Sequence, residues 1–249
     1  MGIGRVAGPV SASPLRGAAT AAWHDVARLA EEVDWDRVLP PRATSMAWRI
    51  EQSVKRALDL GGACLGLVVL SPLLLAIAII VAAESGSPVL YEWRVVGRRG
   101  RPFVGYKFRT MVKDADRLKV DLEHRNEMSG PVFKIRDDPR VTPVGRWLRR
   151  FSFDELPQLW SVLRGHMSLV GPRPLFPHEF AMCSAAQRAK LAVTPGMTCL
   201  WQASGRSSIS DFEEWVALDF AYIRDWSLWL DLRILARTAL AVVSGRGAH

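Results

Sequence analysis

LGGACLGLVVLSPLLLAIAIIVAA, from Leu60 to Ala83, is a run of about 24 residues without a charge, enough to cross a hydrocarbon core of about 30 Å as one straight helix. Ser71 and Pro72 stand near its middle. Proline removes a backbone donor and clashes with the preceding turn, and a serine hydroxyl bonds back to the backbone, so the pair favours a kink. Each arm is then about 11 or 12 residues, roughly 17 Å at 1.5 Å per residue, which reaches about half the bilayer. Such a segment has the dimensions to enter the membrane and return on the same side. Arg49, Lys55 and Arg56 precede the run, while Arg94, Arg98, Arg99 and Arg101 follow it. Basic flanks mark the cytoplasmic side, here at both ends. A kinked spanning helix is the plainer reading of the same residues, and a soluble buried core helix fits them least.

Outward from this run, residues 1–45 are rich in Ala, Gly, Pro and Ser, with one short amphipathic piece around Trp23 to Trp35, and they read as a mostly disordered tail. The start, MGIGRVAGPVSASPLRGAATAA, lacks a sustained apolar core, so no signal peptide is expected. On the other side, Val89 to Val96 and Phe103 to Phe108 read as two strands joined by a turn at Gly97 to Gly100. Lys113 to Met128 reads as a solvated helix with no chemistry assigned. Ser210-x-x-Glu213 has capping-box spacing at the start of a helix carrying Phe212, Trp215, Leu218 and Tyr222. Trp226, Trp229, Leu230 and Ile234 among Arg233 and Arg237 suit a helix at the headgroup level or an ordinary core-facing helix.

The chain has 249 residues and a formal net charge of +8. That length allows one sizeable domain plus an appendage, and the charge implies a polyanionic partner: nucleic acid, an anionic membrane surface or phosphorylated substrates. Cys64, Cys183 and Cys199 are odd in number and lack CxxC spacing, so neither a disulfide framework nor a zinc site is indicated. The five histidines show no ligand spacing.

The chemistry concentrates in RRFSFDELPQLWSVLRGHMSLVGPRP, Arg149 to Pro174. Ser152-x-x-Glu155 has capping-box spacing ahead of an apolar run, Leu156, Leu159, Trp160 and Leu163, which Gly165 ends. Asp154 and Glu155 therefore sit at an expected helix N-terminus, where unpaired N–H groups favour anions. A carboxylate and a phosphate about 4 Å apart repel by roughly 1 to 4 kcal/mol, so their meeting needs cations. Arg149, Arg150, Arg164 and Arg173 are close in sequence. A divalent metal on Glu155 completes the neutralisation, and Mg²⁺, which takes few protein ligands together with phosphate oxygens, suits so small a set of carboxylates. Taken alone, the two acids read more readily as ordinary capping residues.

The segment resembles the bacterial sugar transferases, the monotopic polyprenyl-phosphate phosphoglycosyl transferases. The resemblance rests on Ser-x-Asp-Glu-Leu-Pro-Gln-Leu at Ser152 to Leu159 and Met-Ser-Leu-Val-Gly-Pro-Arg-Pro at Met167 to Pro174. KRALDL (Lys55 to Leu60), KFRTM (Lys107 to Met111), TPGMT (Thr194 to Thr198), LWQASGR (Leu200 to Arg206) and DWSLWLDL (Asp225 to Leu232) extend it over roughly residues 50 to 243. It implies an α+β, mostly helical chain: a flexible tail over 1–45, a re-entrant helix-break-helix anchor over 46–86, and a compact cytosolic catalytic domain over 87–249 with a small β-hairpin and interfacial helices.

It also implies a mechanism. Asp154 is the nucleophile that attacks the sugar-linked phosphorus of a UDP-sugar, releasing UMP and leaving a phosphosugar on the aspartate for polyprenyl phosphate to collect. One carboxylate thus divides a transfer between poorly co-soluble substrates into two steps. Glu155 holds Mg²⁺; Arg149 clamps phosphate; and Gly171, Pro172, Arg173 and Pro174 hold the nucleotide, with Lys107 and Arg109 in the same cationic lining. Lys55, Arg56, Asp59, Ser71 and Pro72 belong to the anchor, with Arg56 and Asp59 as a pair at the membrane surface.

The implied setting is the cytoplasmic face of a bacterial inner membrane, at the start of exopolysaccharide, capsule or O-antigen assembly, with no nucleic-acid partner. The sugar, the prenyl length and the choice between monomer and homodimer stay open. His166, Ser161 and Cys199 depart from the pattern, standing where an acid, Asn and Gly are common. Two rival classes are carried beside it: a direct-transfer glycosyltransferase releasing UDP, with Asp137-Asp138 as its faint metal motif, and a nonenzymatic basic membrane- or nucleic-acid-binding module.

Overall fold

The computed structural model describes residues 14–205 and 209–244. They are mostly helical. The helices are α1 (Pro14–Glu31), α2 (Met46–Val69), α3 (Ser71–Ser85), α4 (Ala115–Asp121), α5 (Pro143–Arg150), α6 (Leu159–Leu163), α7 (Pro177–Met182), α8 (Ala185–Arg188), α9 (Leu200–Gly205), α10 (Phe212–Asp225) and α11 (Leu228–Ser244). Strands β1 (Leu90–Val96) and β2 (Pro102–Phe108) form the expected antiparallel hairpin, and short β3 (Ser168–Val170) and β4 (Gly196–Thr198) pair in parallel.

The apolar run is broken where the sequence places Ser71 and Pro72. The Ser45 side chain caps α2 by accepting Trp48 N at 3.2 Å, and α2 then runs into the apolar segment as far as Val69. Pro72 sits in the first turn of α3, where its missing N–H leaves no bond unmade. Ser71 Oγ donates to Val68 O at 2.8 Å, and the two helices are bent by 61°. No single described helix is long and apolar enough to cross a membrane, whereas the bent pair passes by length and composition together. Leu65, Val68, Leu75 and Ile79 are 61–66 % exposed, so both arms present an unpartnered apolar face.

The lower half of α2 fastens this pair to the rest of the chain. Lys55 Nζ lies 2.6 Å from Asp231 Oδ2 on α11 and donates to Val170 O at 3.0 Å. Arg56 donates to Val162 O and Leu163 O at 2.7 and 3.0 Å, and Asp59 Oδ1 accepts Leu169 N at 2.9 Å. Arg56 and Asp59 thus bind separate backbone groups, which corrects the expected pair between them. Their bonds reach a segment more than 100 residues on, which local spacing does not display.

Three further expectations change. The tail read as disordered contains α1, with Val26 buried and Trp23, Leu29, Ala30 and Trp35 packed on the core. Gly100, at φ +76°, lets Ala30 come so close that a Cβ there would meet it at 2.4 Å. The packed face falls in the short amphipathic piece expected around Trp23 to Trp35, so what changes is the order of the tail around it; residues 1–13 lie outside the described residues. The helix expected over Lys113 to Met128 is only α4 and a 3-10 turn, Glu123–Arg125. The cap of α10 is Asp211, whose side chain accepts Glu213 N at 3.1 Å, one residue beyond the expected Ser210. In α11, Ile234 is buried while Trp229, Leu232, Leu240 and Val243 are exposed.

Removing one partner of a buried ion pair strands the other, at a cost of about 3 kcal/mol or more. Lys55→Ala leaves Asp231, with a side chain only 9 % exposed, beside Tyr222 and Trp226 alone. A clear fall in thermal stability in detergent is expected, which differential scanning fluorimetry measures.

Candidate active site

The decisive segment does not form the expected helix start. Ser152 adopts a left-handed conformation, φ 55°, and its side chain makes no cap; its carbonyl accepts Glu155 N at 3.2 Å instead. Phe153–Gln158 is a 3-10 turn and α6 begins only at Leu159. Pro157 is the physical reason, because it supplies no N–H for an α-helical bond and its ring opposes the preceding α-turn. The turn buries Asp154, 8 % exposed, and leaves Glu155 half-buried beside it.

Both acids lie on the wall of a cavity of about 730 Å³, together with Lys107, Arg109, Arg149, Arg173 and Pro174. Each cation arrives there by a traceable local cause. Lys107 stands on β2 opposite Tyr91, over the ring of Trp93, and reaches Glu155 Oε1 at 2.9 Å. Arg149 comes from α5, whose Thr142 cap accepts Gly145 N at 3.0 Å. A Cβ at Gly145 would stand 2.2 Å from Thr110 O, so only glycine lets α5 press this closely on the chain after β2. Thr110 Oγ1 then accepts Arg149 Nε at 3.0 Å. Burial lowers the Arg149 pKa, and Asp154 is the strongest of the charges that oppose this.

The Gly-Pro-Arg-Pro turn contributes unequally. Gly171 and Pro172 are backbone scaffolding: Gly171 N donates to Thr198 O, and Pro172 O accepts Gly196 N, both at 3.0 Å. Arg173 and Pro174 form the wall. Glu179, only 2 % exposed, takes both ends of the Arg173 guanidinium at 3.0 and 3.1 Å. Burial works to lower the Arg173 pKa, yet Glu179 outweighs it and holds the group above its ordinary value. Arg109 donates to Ser85 O and Gly86 O, so its guanidinium ties down the end of α3 as well as lining the cavity. Sequence reasoning missed Glu179 and Thr110 as holders of these arginines; Thr110 lies within the KFRTM motif, while Glu179 carries no motif signal.

The departures from the expected pattern are accommodated. Burial, then the charge of Arg164, lowers the His166 pKa, so it adds no full cation at neutral pH. Cys199 is buried and is not among the positive-φ residues, so its backbone does not need glycine. The rival Asp137-Asp138 motif does not converge on a ligand: Asp137 is exposed, and Asp138 is tied bidentately to Arg140, with Nη2 to Oδ2 at 2.6 Å.

The model of the family described as bacterial sugar transferase matches residues 50–245. The chain belongs to the bacterial sugar transferase family. The chain is 45 % identical over 195 residues to the galactosyl transferase CpsE of Streptococcus agalactiae serotype III, covering 78 % of this chain and 43 % of CpsE. It is 39 % identical over 213 residues to the exopolysaccharide production protein ExoY of Sinorhizobium fredii, covering 84 % of this chain and 94 % of ExoY. To the undecaprenyl-phosphate galactose phosphotransferase of Salmonella typhimurium it is 38 % identical over 209 residues, 82 % of this chain and 44 % of that enzyme. The chain thus spans less than half of CpsE and of the Salmonella relative and nearly all of ExoY.

Among the described residues no group of three or more His, Cys, Asp or Glu side chains is placed to hold a metal. A cage made wholly of protein is not offered. The oxygen donors of adjacent Asp154 and Glu155 fit instead a hard divalent ion that arrives with phosphate oxygens, while the cations on the same wall suit the phosphate.

Asp138 supplies a pH test of this wall. Burial works to raise its pKa, but the hydrogen bonds and charge of Arg140 hold it below the ordinary value. A depressed carboxylate contributes stability above its unfolded pKa of about 3.9 and loses it as pH falls through the folded value. Thermal stability should therefore begin to drop as pH falls below about 5 and go on dropping through the depressed folded value, and Asp138→Asn should be less stable at neutral pH with a shallower acid limb.

Proposed function

We propose that this chain transfers a sugar 1-phosphate from a UDP-sugar to a membrane polyprenyl phosphate and releases UMP, through a covalent phosphosugar on Asp154. The supporting observation is the burial of Asp154 in a cavity wall beside Arg149, with Glu155 next to it held by Lys107. The Salmonella relative is named for transfer of galactose phosphate to undecaprenyl phosphate, and ExoY for exopolysaccharide production, which accords with the same reaction class.

In the first half-reaction an Asp154 oxygen forms a bond to the sugar-linked phosphorus as the bond from that phosphorus to the bridging oxygen breaks, and UMP leaves with the electron pair. In the second, a phosphate oxygen of the polyprenyl phosphate attacks the same phosphorus and restores the carboxylate. Asp154 is already ordered by the 3-10 turn, so little orientation is lost on the way to reaction. Arg149, fixed through Nε by Thr110, presents its remaining donors to phosphate. Lys107 lies against Glu155 and adds positive charge where the diphosphate arrives. Arg173, paired with Glu179, shapes the nucleotide end of the cavity. Glu155 would hold Mg²⁺, which, when bound with the diphosphate, neutralises charge and assists the departure of UMP.

The bent helix pair acts as a re-entrant anchor. Its exposed apolar face meets lipid, and both ends return to the cytoplasmic face of a bacterial inner membrane. Residues 46–86 are then the anchor and 87–249 the catalytic part, with α11 lying at the headgroup level. The reaction begins assembly of an exopolysaccharide, capsule or O-antigen glycan.

The test incubates purified membranes with UDP-sugars, polyprenyl phosphate and Mg²⁺ and identifies the nucleotide released. UMP is expected; Asp154→Asn should lower its formation by about 10³-fold or more; and chelation by EDTA should suppress it reversibly. UMP release that survives Asp154→Asn, or UDP as the product, would refute the reading.

A further inference from the structure

Three aromatic rings stand immediately before Asp154, and the chemistry assigned so far uses none of them. Trp147, Phe151 and Phe153 form one cluster, with centroids 5.6 Å apart for Trp147 and Phe151, 5.5 Å for Trp147 and Phe153, and 5.7 Å for Phe151 and Phe153. Trp147 is 47 % exposed and the two phenylalanines are half-buried. A water-facing tryptophan at the end of a helix whose other face is well packed is an unpartnered apolar surface.

The cluster is continuous with the apolar helix pair. Val144 N, at the start of α5, donates to Glu84 Oε1 near the end of α3 at 2.9 Å. One turn on, Leu148 joins Ile77 and Val81 of α3 in a buried cluster against which Phe153 packs. Helix α5 therefore runs along α3 away from Glu84, in the direction of the bend, and delivers its aromatic end beside α3, where half-buried Leu73 and Leu74 pack on the same cluster as Phe153. From that end the chain passes directly into the turn that carries Asp154. Arg150 is exposed at the same place, 5.8 Å over the ring of Phe151, and forms no ion pair among the described residues.

We propose that this patch is the acceptor track: the isoprenoid chain lies along α3 and against Trp147, Phe151 and Phe153, and Arg150 meets its phosphate. The inference rests on the reading of Asp154 as the phosphosugar carrier. An apolar surface that joins Leu73 and Leu74 of α3 through Phe153, a cation at its end and a carboxylate four residues beyond match, in order, the tail, the phosphate and the reacting centre of a lipid phosphate. Aromatic rings suit such a chain because they offer broad apolar area with little rotamer entropy to lose.

The experiment separates the half-reactions in detergent micelles. Exchange of labelled UMP into UDP-sugar, measured without acceptor, reports the first; sugar-phosphate transfer to undecaprenyl phosphate and to the short geranyl phosphate reports the whole. Trp147→Ala and Phe151→Ala should raise KM for undecaprenyl phosphate by about tenfold, the scale of one lost aromatic contact. KM for geranyl phosphate should change far less, exchange should be maintained, and Trp147→Phe should recover most of the loss. Equal rises for both acceptors, no rise for either, or exchange lost in step with transfer would overturn the proposal. So would loss of binding to phosphatidylglycerol vesicles in proportion to the KM change, since the patch would then be a membrane anchor only. If the unsubstituted enzyme shows no exchange, the covalent reading of Asp154 fails, and the chain-length comparison on overall transfer still decides the track.

Discussion

One turn of α2 carries Lys55, Arg56 and Asp59, and each closes a bond to a different part of the chain: to Asp231 and Val170 O, to Val162 O and Leu163 O, and to Leu169 N. A helix that continues into an uncharged run would otherwise be held mainly by apolar contacts, which are non-directional and permit sliding and rotation. Charge-assisted bonds to backbone groups remove that freedom because they are directional. They set the rotation of α2 so that Gly66 faces Leu159 and Gly62 faces Leu169. The turn bearing Asp154 is thereby seated beside the bent helix pair, and the distance between an apolar surface and a phosphate-handling carboxylate becomes a property of the fold.

The site itself is shaped by the cost of bringing negative charges together. Asp154 and Glu155 are neighbours, and any nucleotide diphosphate adds to the repulsion, so the wall carries Lys107, Arg109, Arg149 and Arg173. These cations are unequal in kind. Glu179 largely neutralises Arg173, and carbonyls at the end of α3 hold Arg109, whereas Arg149 is oriented by a hydroxyl and Lys107 lies against Glu155. Two arginines therefore build the container and two cations face the acids. A buried guanidinium with a neutral partner keeps its charge for an incoming anion; one already chelated by a carboxylate does so much less.

The differences between the sequence reading and the structure follow from the range of the interactions concerned. The break at Ser71 and Pro72, the hairpin of β1 and β2, and the acid pair are local matters of donor loss, alternation and adjacency, and they were legible. The expected capping box at Ser152 has the right letters, but Pro157 and the left-handed Ser152 turn the segment into a 3-10 helix, since a proline two residues after Glu155 weighs more than a cap. The Arg56–Asp59 pair was legible as a spacing and wrong as a contact, because backbone groups over 100 residues away compete for both side chains. Helix α1 was legible only in part: the amphipathic piece from Trp23 was visible, whereas alanine and glycine before it carry little hydrophobic signal, although Val26 and Ala30 pack closely on the core and Gly100.

By itself the sequence determined that an uncharged run is interrupted by proline, that two acids adjoin among arginines, and that the motifs are those of bacterial sugar transferases. Each of these is carried by neighbouring residues and survives without knowledge of the fold. Tertiary structure alone decided which arginines face the acids and which are held by Glu179 or by the end of α3, that Gly171 and Pro172 are scaffold, and that the aromatic end of α5 lies between the apolar helices and Asp154. The reason is that a long side chain chooses its partner by desolvation and geometry in three dimensions, and residues distant in the chain supply those partners.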